Sequence, residues 1–122
     1  MEKKFFSING DINTQVYEKF LKFVDEVNRS DTKEIVIIID SNGGEITYGF
    51  AIYDILMALD IEITTIAIGK CRSIATVIFA AGNKRLITNN CYFLIHGASV
   101  NIDRAKLNAK AAKDLWESIV ED

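Results

Sequence analysis

A chain of 122 residues with 14 Lys and Arg against 17 Asp and Glu carries a net charge of −3. It is one domain's worth of sequence, able to bury roughly two thirds of its unfolded surface. The near-balanced, slightly acidic charge gives no footprint for nucleic acid or an anionic membrane. Residues 1–7 reach Asn9 and Asp11 before a signal-peptide core could form, and no apolar run approaches a bilayer span, so a soluble cytoplasmic protein is expected.

Residues 5–8 read as a first strand, closed by the turn Asn9-Gly10-Asp11. From Thr14 to Asn28 the apolar positions Val16, Phe20, Phe23, Val24 and Val27 recur at three and four, which predicts a helix packed on a sheet. The β-branched run Ile35-Val36-Ile37-Ile38-Ile39 predicts a strand buried on both faces. A second helix is expected over about 47–59 with Ile52, Ile55, Leu56 and Leu59 inward, and a third strand over 61–68. A short apolar helix over 73–81 follows, then strands near 86–88 and 92–95. A last helix is expected over 103–120, carrying Ala105, Ala112, Leu115, Trp116 and Ile119 on one stripe. With no proline and no Ser/Gly-rich linker, residues 1–122 form a single domain in this reading. Strands alternating with helices give an α/β fold, a mainly parallel sheet wrapped by helices. In such sheets ligands bind beyond the carboxyl ends of the strands.

Three features fall just after strands and so collect at that edge: the turn Ser41-Asn42-Gly43-Gly44, Ser73, and His96, the single histidine. A hydroxyl, an imidazole and a glycine turn are the parts of an acyl-transfer site. The nucleophile needs a base within reach, and the developing oxyanion needs backbone N–H groups. His96, with an ordinary pKa of ~6.5, is the one unperturbed general base available. Each feature also has a plain structural role. Ser73 stands where a helix N-cap belongs, a lone histidine after an apolar strand is commonly structural, and paired glycines make tight turns. Gly69-Lys70 does not complete a phosphate-binding loop, which needs an earlier glycine and a following Ser or Thr. Cys71 and Cys91 lack metal-ligand spacing and read as reduced thiols, so no metal site is expected from them. Lys70 and Arg72 read either as a solvated patch or as a bias of the cleft toward acidic peptide segments.

Three segments carry a family resemblance. The stretch from Ser41-Asn42-Gly43-Gly44 to Asp54 resembles the part of Clp protease proteolytic subunits that follows their second core strand. Gly69-Lys70-Cys71-Arg72-Ser73-Ile74-Ala75 is similar to their nucleophile turn, and Tyr92-Phe93-Leu94-Ile95-His96 to the strand that delivers their histidine. The resemblance covers about residues 5–100. It implies the ββα superhelix that these peptidases share with crotonases, with Ser73 as nucleophile, His96 as base, and the N–H groups of Gly44 and Ile74 as oxyanion hole. It also implies unfolded polypeptide as substrate, no cofactor, a homo-oligomeric ring (heptameric, single or double) and an ATP-driven unfoldase as partner. Cys71 lies two residues off the matched nucleophile position.

The chain departs from the family pattern at four points. Asn42 stands where the family has proline, Arg72 where it has a small residue before the nucleophile, and Ala75 where it favours glycine. The family's triad aspartate lies in a C-terminal segment that finds no match here; Asp103 reads as the cap of the last helix. That helix resembles the start of the family's handle, and the chain opens at the first core strand, without an axial segment. The expectation is therefore a compact or truncated variant. The rival functions are a catalytically weak or inactive ring subunit and an acyl-CoA enzyme on the same fold.

Overall fold

The computed structural model describes residues 2–95 and the strand at 98–99; His96 and the helix expected over 103–120 lie outside the described residues. The elements run β1 (Glu2–Asn9), α1 (Thr14–Asn28), β2 (Thr32–Ser41), α2 (Ile46–Ala58), β3 (Glu62–Arg72), α3 (Ala75–Phe79), β4 (Lys84–Ile87), β5 (Tyr92–Ile95) and β6 (Ala98–Ser99). Strands β1, β2 and β3 lie side by side in parallel. β4 and β5 then follow one another along the far edge of β3, also parallel to it, and β6 closes back antiparallel on β5. This is the mainly parallel α/β sheet with helices that the sequence predicts.

α1 has the bounds its periodicity predicts, because start signal and stripe agree. Asn13 caps it, its Oδ1 accepting the Val16 N–H at 3.0 Å. Phe20, Phe23 and Val27 are buried against the sheet, and Phe6 of β1 meets the rings of Phe20 and Phe23 at 5.5 and 5.2 Å. Period-two alternation sends the neighbouring Phe5 to the opposite face, 61% exposed. β2 supplies the centre of the core, with Ile35, Ile37 and Ile39 wholly buried. α3 is tied to the sheet through Thr65, whose buried hydroxyl donates to the Phe79 carbonyl at 2.7 Å.

Strands β1, β2 and β4 have other bounds than expected, and two further differences bear on the site, both near Ser73. β3 does not end at residue 68 but runs to Arg72, because Lys70, Cys71 and Arg72 pair with Tyr92, Phe93 and Leu94 of β5. Gly69 is accommodated inside the strand by a register shift. An advance of four residues on β3, from Ala67 to Cys71, matches an advance of two on β2, from Ile39 to Ser41. Gly69 takes φ +60 there, and a side chain would meet the Asp40 carboxylate at 2.7 Å. α3 in turn is confined to Ala75–Phe79 instead of filling 73–81. Among the described residues no helix is long and apolar enough to cross a membrane.

Candidate active site

The site assembles where β2 and β3 end side by side. At the end of β2 the chain turns through Ser41, Asn42, Gly43 and Gly44. The buried Ser41 hydroxyl accepts the Gly43 N–H at 3.0 Å, closing the turn on itself. The Gly43 carbonyl then accepts the Ile12 N–H and the Ile12 carbonyl accepts the Glu45 N–H, each at 2.9 Å. These two bonds make a parallel bridge between Ile12 and Gly44. In such a bridge the bonds flank Gly44, so its own N–H and C=O point away from Ile12.

Both glycines are obligatory for a stated reason. Gly43 takes φ +104, and a Cβ there would stand 2.9 Å from the Ser73 Cβ and 3.0 Å from the Arg72 carbonyl. Gly44 takes φ +150 and lies so close to Ile12 that a Cβ would collide with its backbone. The glycine turn is therefore pressed directly against the end of β3.

At that end Ser73 adopts φ +55, the one positive φ of a non-glycine residue among the described residues. A left-handed serine costs roughly 1–2 kcal/mol, so the surroundings must hold it there. They do so from three sides. The Ser73 N–H donates to the Leu94 carbonyl at 2.8 Å. Its carbonyl accepts the Thr76 N–H at 3.0 Å and the Thr76 hydroxyl at 2.7 Å. Behind it, Ile74 is fully buried and Gly49 of α2 approaches it so closely that any Cβ at 49 would overlap its side chain.

The reading of Ser73 as a helix cap is thus corrected. Ile74 occupies the cap position, no side chain makes a capping bond, and the Ser73 carbonyl, not its hydroxyl, receives the α3 N–H. The hydroxyl is left half-exposed at the point of a sharp strand-to-helix turn. Ile74 follows it, and among the described residues neither the Ile74 N–H nor the Gly44 N–H has a hydrogen-bond partner. Beside Gly44 a cleft of about 550 Å³ opens, lined by Gly44, Glu45, Ile46, Thr47 and Tyr48. Ser73 thus carries its hydroxyl on a strained turn, with the Ile74 amide next in sequence and the glycine turn packed against it, and a hydroxyl beside backbone donors is an arrangement that can attack a carbonyl group.

Cys71, the alternative nucleophile, is excluded by its surroundings. It is completely buried, and that burial, with a smaller push from Cys91, raises its thiol well above the ordinary value of 9.0. A thiol held protonated and out of solvent does not attack. Neither cysteine is in a disulfide.

Lys70 and Arg72 do not form a loose solvated patch. Lys70 pairs with Asp40 at 3.2 Å. Arg72 donates to the Asn42 side-chain oxygen at 3.3 Å and lies 5.4 Å from the centre of the Tyr92 ring. Sequence reading also passed over the supporting roles of Ser41 and Gly49. Gly49 left a signal, since glycine inside a helix costs about 1 kcal/mol against alanine and so marks a close approach.

Comparison with known proteins bears on the same segments. The family model for Clp protease matches residues 1–118. The chain is 34% identical over 98 residues to an ATP-dependent Clp protease proteolytic subunit from Pleurastrum terricola, covering 78% of this chain and 50% of that protein. It is 37% identical over 90 residues to the proteolytic subunit 2 of Treponema denticola, covering 71% of this chain and 45% of that one. The chain thus spans about half the length of the relatives it matches. Among solved structures, the ClpP protease catalytic domain from Plasmodium falciparum superposes with a TM-score of 0.73 at 27% identity, over 97% of this chain and 66% of that one. ClpP1 from Listeria monocytogenes gives 0.73 at 23% identity, over 96% and 68%, which speaks to the fold.

Proposed function

The chain belongs to the Clp protease family, and from that premise we propose that it is a serine-type endopeptidase of the Clp kind. The observation that carries the reading is the backbone of Ser73: a strained φ of +55 at a strand-to-helix turn, with the Gly44 and Ile74 N–H groups unpartnered among the described residues.

In this mechanism the Ser73 Oγ bonds to the carbonyl carbon of a peptide while His96 takes the hydroxyl proton. The carbonyl oxygen becomes an oxyanion held by the Gly44 and Ile74 amides. Each such donor is worth about 3 kcal/mol of transition-state stabilisation. The C–N bond then breaks, His96 returns the proton to the leaving amine, and water hydrolyses the acyl-enzyme by the same steps. The side chain of residue 74 is free to pack in the core because only its amide takes part. The substrates are unfolded polypeptides, and the enzyme works as a homo-oligomeric ring fed by an ATP-driven unfoldase.

An uncharged fluorophosphonate tests the reading by mass spectrometry. The adduct is expected on Ser73 and is lost in Ser73→Ala and in His96→Ala. An adduct that maps to Cys71, or that persists in Ser73→Ala, overturns it.

A further inference from the structure

Two of the positions that the sequence reads as departures from the family pattern touch each other. Asn42, in the glycine turn, and Arg72, immediately before Ser73, are joined by the 3.3 Å bond from the Arg72 guanidinium to the Asn42 Oδ1. Proline at 42 could not accept that bond and a small residue at 72 could not donate it. The third member is Tyr92, whose ring lies 5.4 Å from the guanidinium carbon. Tyr92 pairs with Lys70 across β3 and β5, so the alternation of the strands sets Tyr92 and Arg72 on the same face while Cys71 points into the core.

This clamp fixes a cation. A free arginine spreads over many rotamers, but here one edge is tied to the turn and one face rests on an aromatic ring, so little freedom remains to be lost when an anion arrives. Guanidinium has five N–H donors, and one is spent on Asn42. No carboxylate among the described residues pairs with Arg72, whereas Lys70 next along the strand is already neutralised by Asp40. Among the described residues Arg72 is therefore a half-buried positive charge without a carboxylate partner at this strand end. Its partner Asn42 is two residues from Gly44, and its own carbonyl is the atom a Cβ on Gly43 would touch. A chain whose carbonyl lay between Ser73 and the Gly44 N–H would run past that charge.

We propose that Arg72, clamped by Asn42 and Tyr92, is the specificity determinant of the site and receives an Asp or Glu side chain of the substrate adjacent to the bond that Ser73 attacks. This rests on the peptidase reading, and extends it from unfolded polypeptide in general to acidic segments. The carboxylate accepts two N–H bonds from the guanidinium in the bidentate geometry that lysine cannot copy.

The test separates recognition from chemistry. Fluorescent peptide pairs that differ only by Glu against Gln are titrated into the Ser73→Ala protein, so that affinity is read without turnover. The Glu peptides are expected to bind about tenfold tighter, as for a partly buried charge-assisted contact, and the ratio should shrink as salt rises. Arg72→Gln should bring the ratio to about one, Arg72→Lys should keep only part of it, and Arg72→Glu should reverse it, so that the Gln peptides bind tighter. Melting temperatures of the variants identify any that fail to fold, and the salt dependence of the unsubstituted Arg72 protein stands without them. Equal binding of Glu and Gln peptides, no measurable binding of the Glu peptide, or a preference that survives Arg72→Gln overturns the proposal. Fluorophosphonate labelling of Ser73 alongside shows whether the peptidase reading still stands in that case. Conversely, a Glu preference lost in Arg72→Gln with no labelling of Ser73 upholds the anion site and removes the peptidase reading.

Discussion

The two strand ends that meet at the site solve the same problem in opposite ways. The turn after β2 also needs positive φ, and it uses glycine at both such positions, Gly43 and Gly44, so no strain is retained. The turn after β3 needs one left-handed residue and keeps a serine there, although glycine would be easier. The contrast shows where a side chain is wanted. At the first turn the backbone itself is the useful group, and a side chain would only obstruct; at the second, the hydroxyl outweighs the conformational cost.

The largest change should come from filling the first turn. Gly44→Val would force a branched side chain into the Ile12 backbone, and a loss of about 3 kcal/mol or more is expected, read as a lowered urea midpoint. A valine variant as stable as the parent would mean the two chains do not approach as described. Gly43→Ala is the next test. Its methyl would meet the Ser73 Cβ and the Arg72 carbonyl, so about 2 kcal/mol should be lost, with slower fluorophosphonate labelling as the hydroxyl is displaced. The second turn predicts the opposite sign. Ser73→Gly should be more stable than Ser73→Ala by about 1 kcal/mol, because alanine inherits the strain and glycine removes it. Equal stability of the two would show that Ser73 is not strained in solution.

The smallest effect concerns Cys71. Its thiol is raised well above 9.0 in the fold, so on raising the pH the unfolded chain loses that proton first. The native state then binds more protons than the unfolded one, and stability falls with pH. The contribution is whole below the unfolded value near 9.0 and is eroded as pH rises above it. Denaturation midpoints from pH 8 upward should drop more for the parent than for Cys71→Ala, and a parallel fall would place the effect elsewhere.

Much of the fold was legible because local signals agreed. Asn13, the Phe20–Phe23–Val27 stripe and the isoleucine run of β2 each point one way, and α1 and β2 lie where they were expected. The site's parts were legible as well, in that Gly43 and Ser73 do meet. What sequence hid was set by tertiary pairing. Gly69 reads as a strand terminator, yet β5 supplies partners beyond it and carries β3 on to Arg72. Ser73 reads as a helix cap because serine favours that place, but whether hydroxyl or carbonyl does the capping depends on φ, which no residue name specifies. The Asn42–Arg72–Tyr92 contact joins positions far apart in sequence, and nothing local announces it.

The two surplus residues of β3 are slack held inside a strand, chain added without length, since Cys71 still stands beside Ser41. Deleting the pair around Gly69 would therefore leave Ser73 at the same height beside the glycine turn, with Cys71 still facing inward and Arg72 outward. Deleting one would instead exchange those faces, driving a guanidinium into the core. Such slack can therefore be gained or lost only in even steps, and the isoleucines beneath it would never register the change.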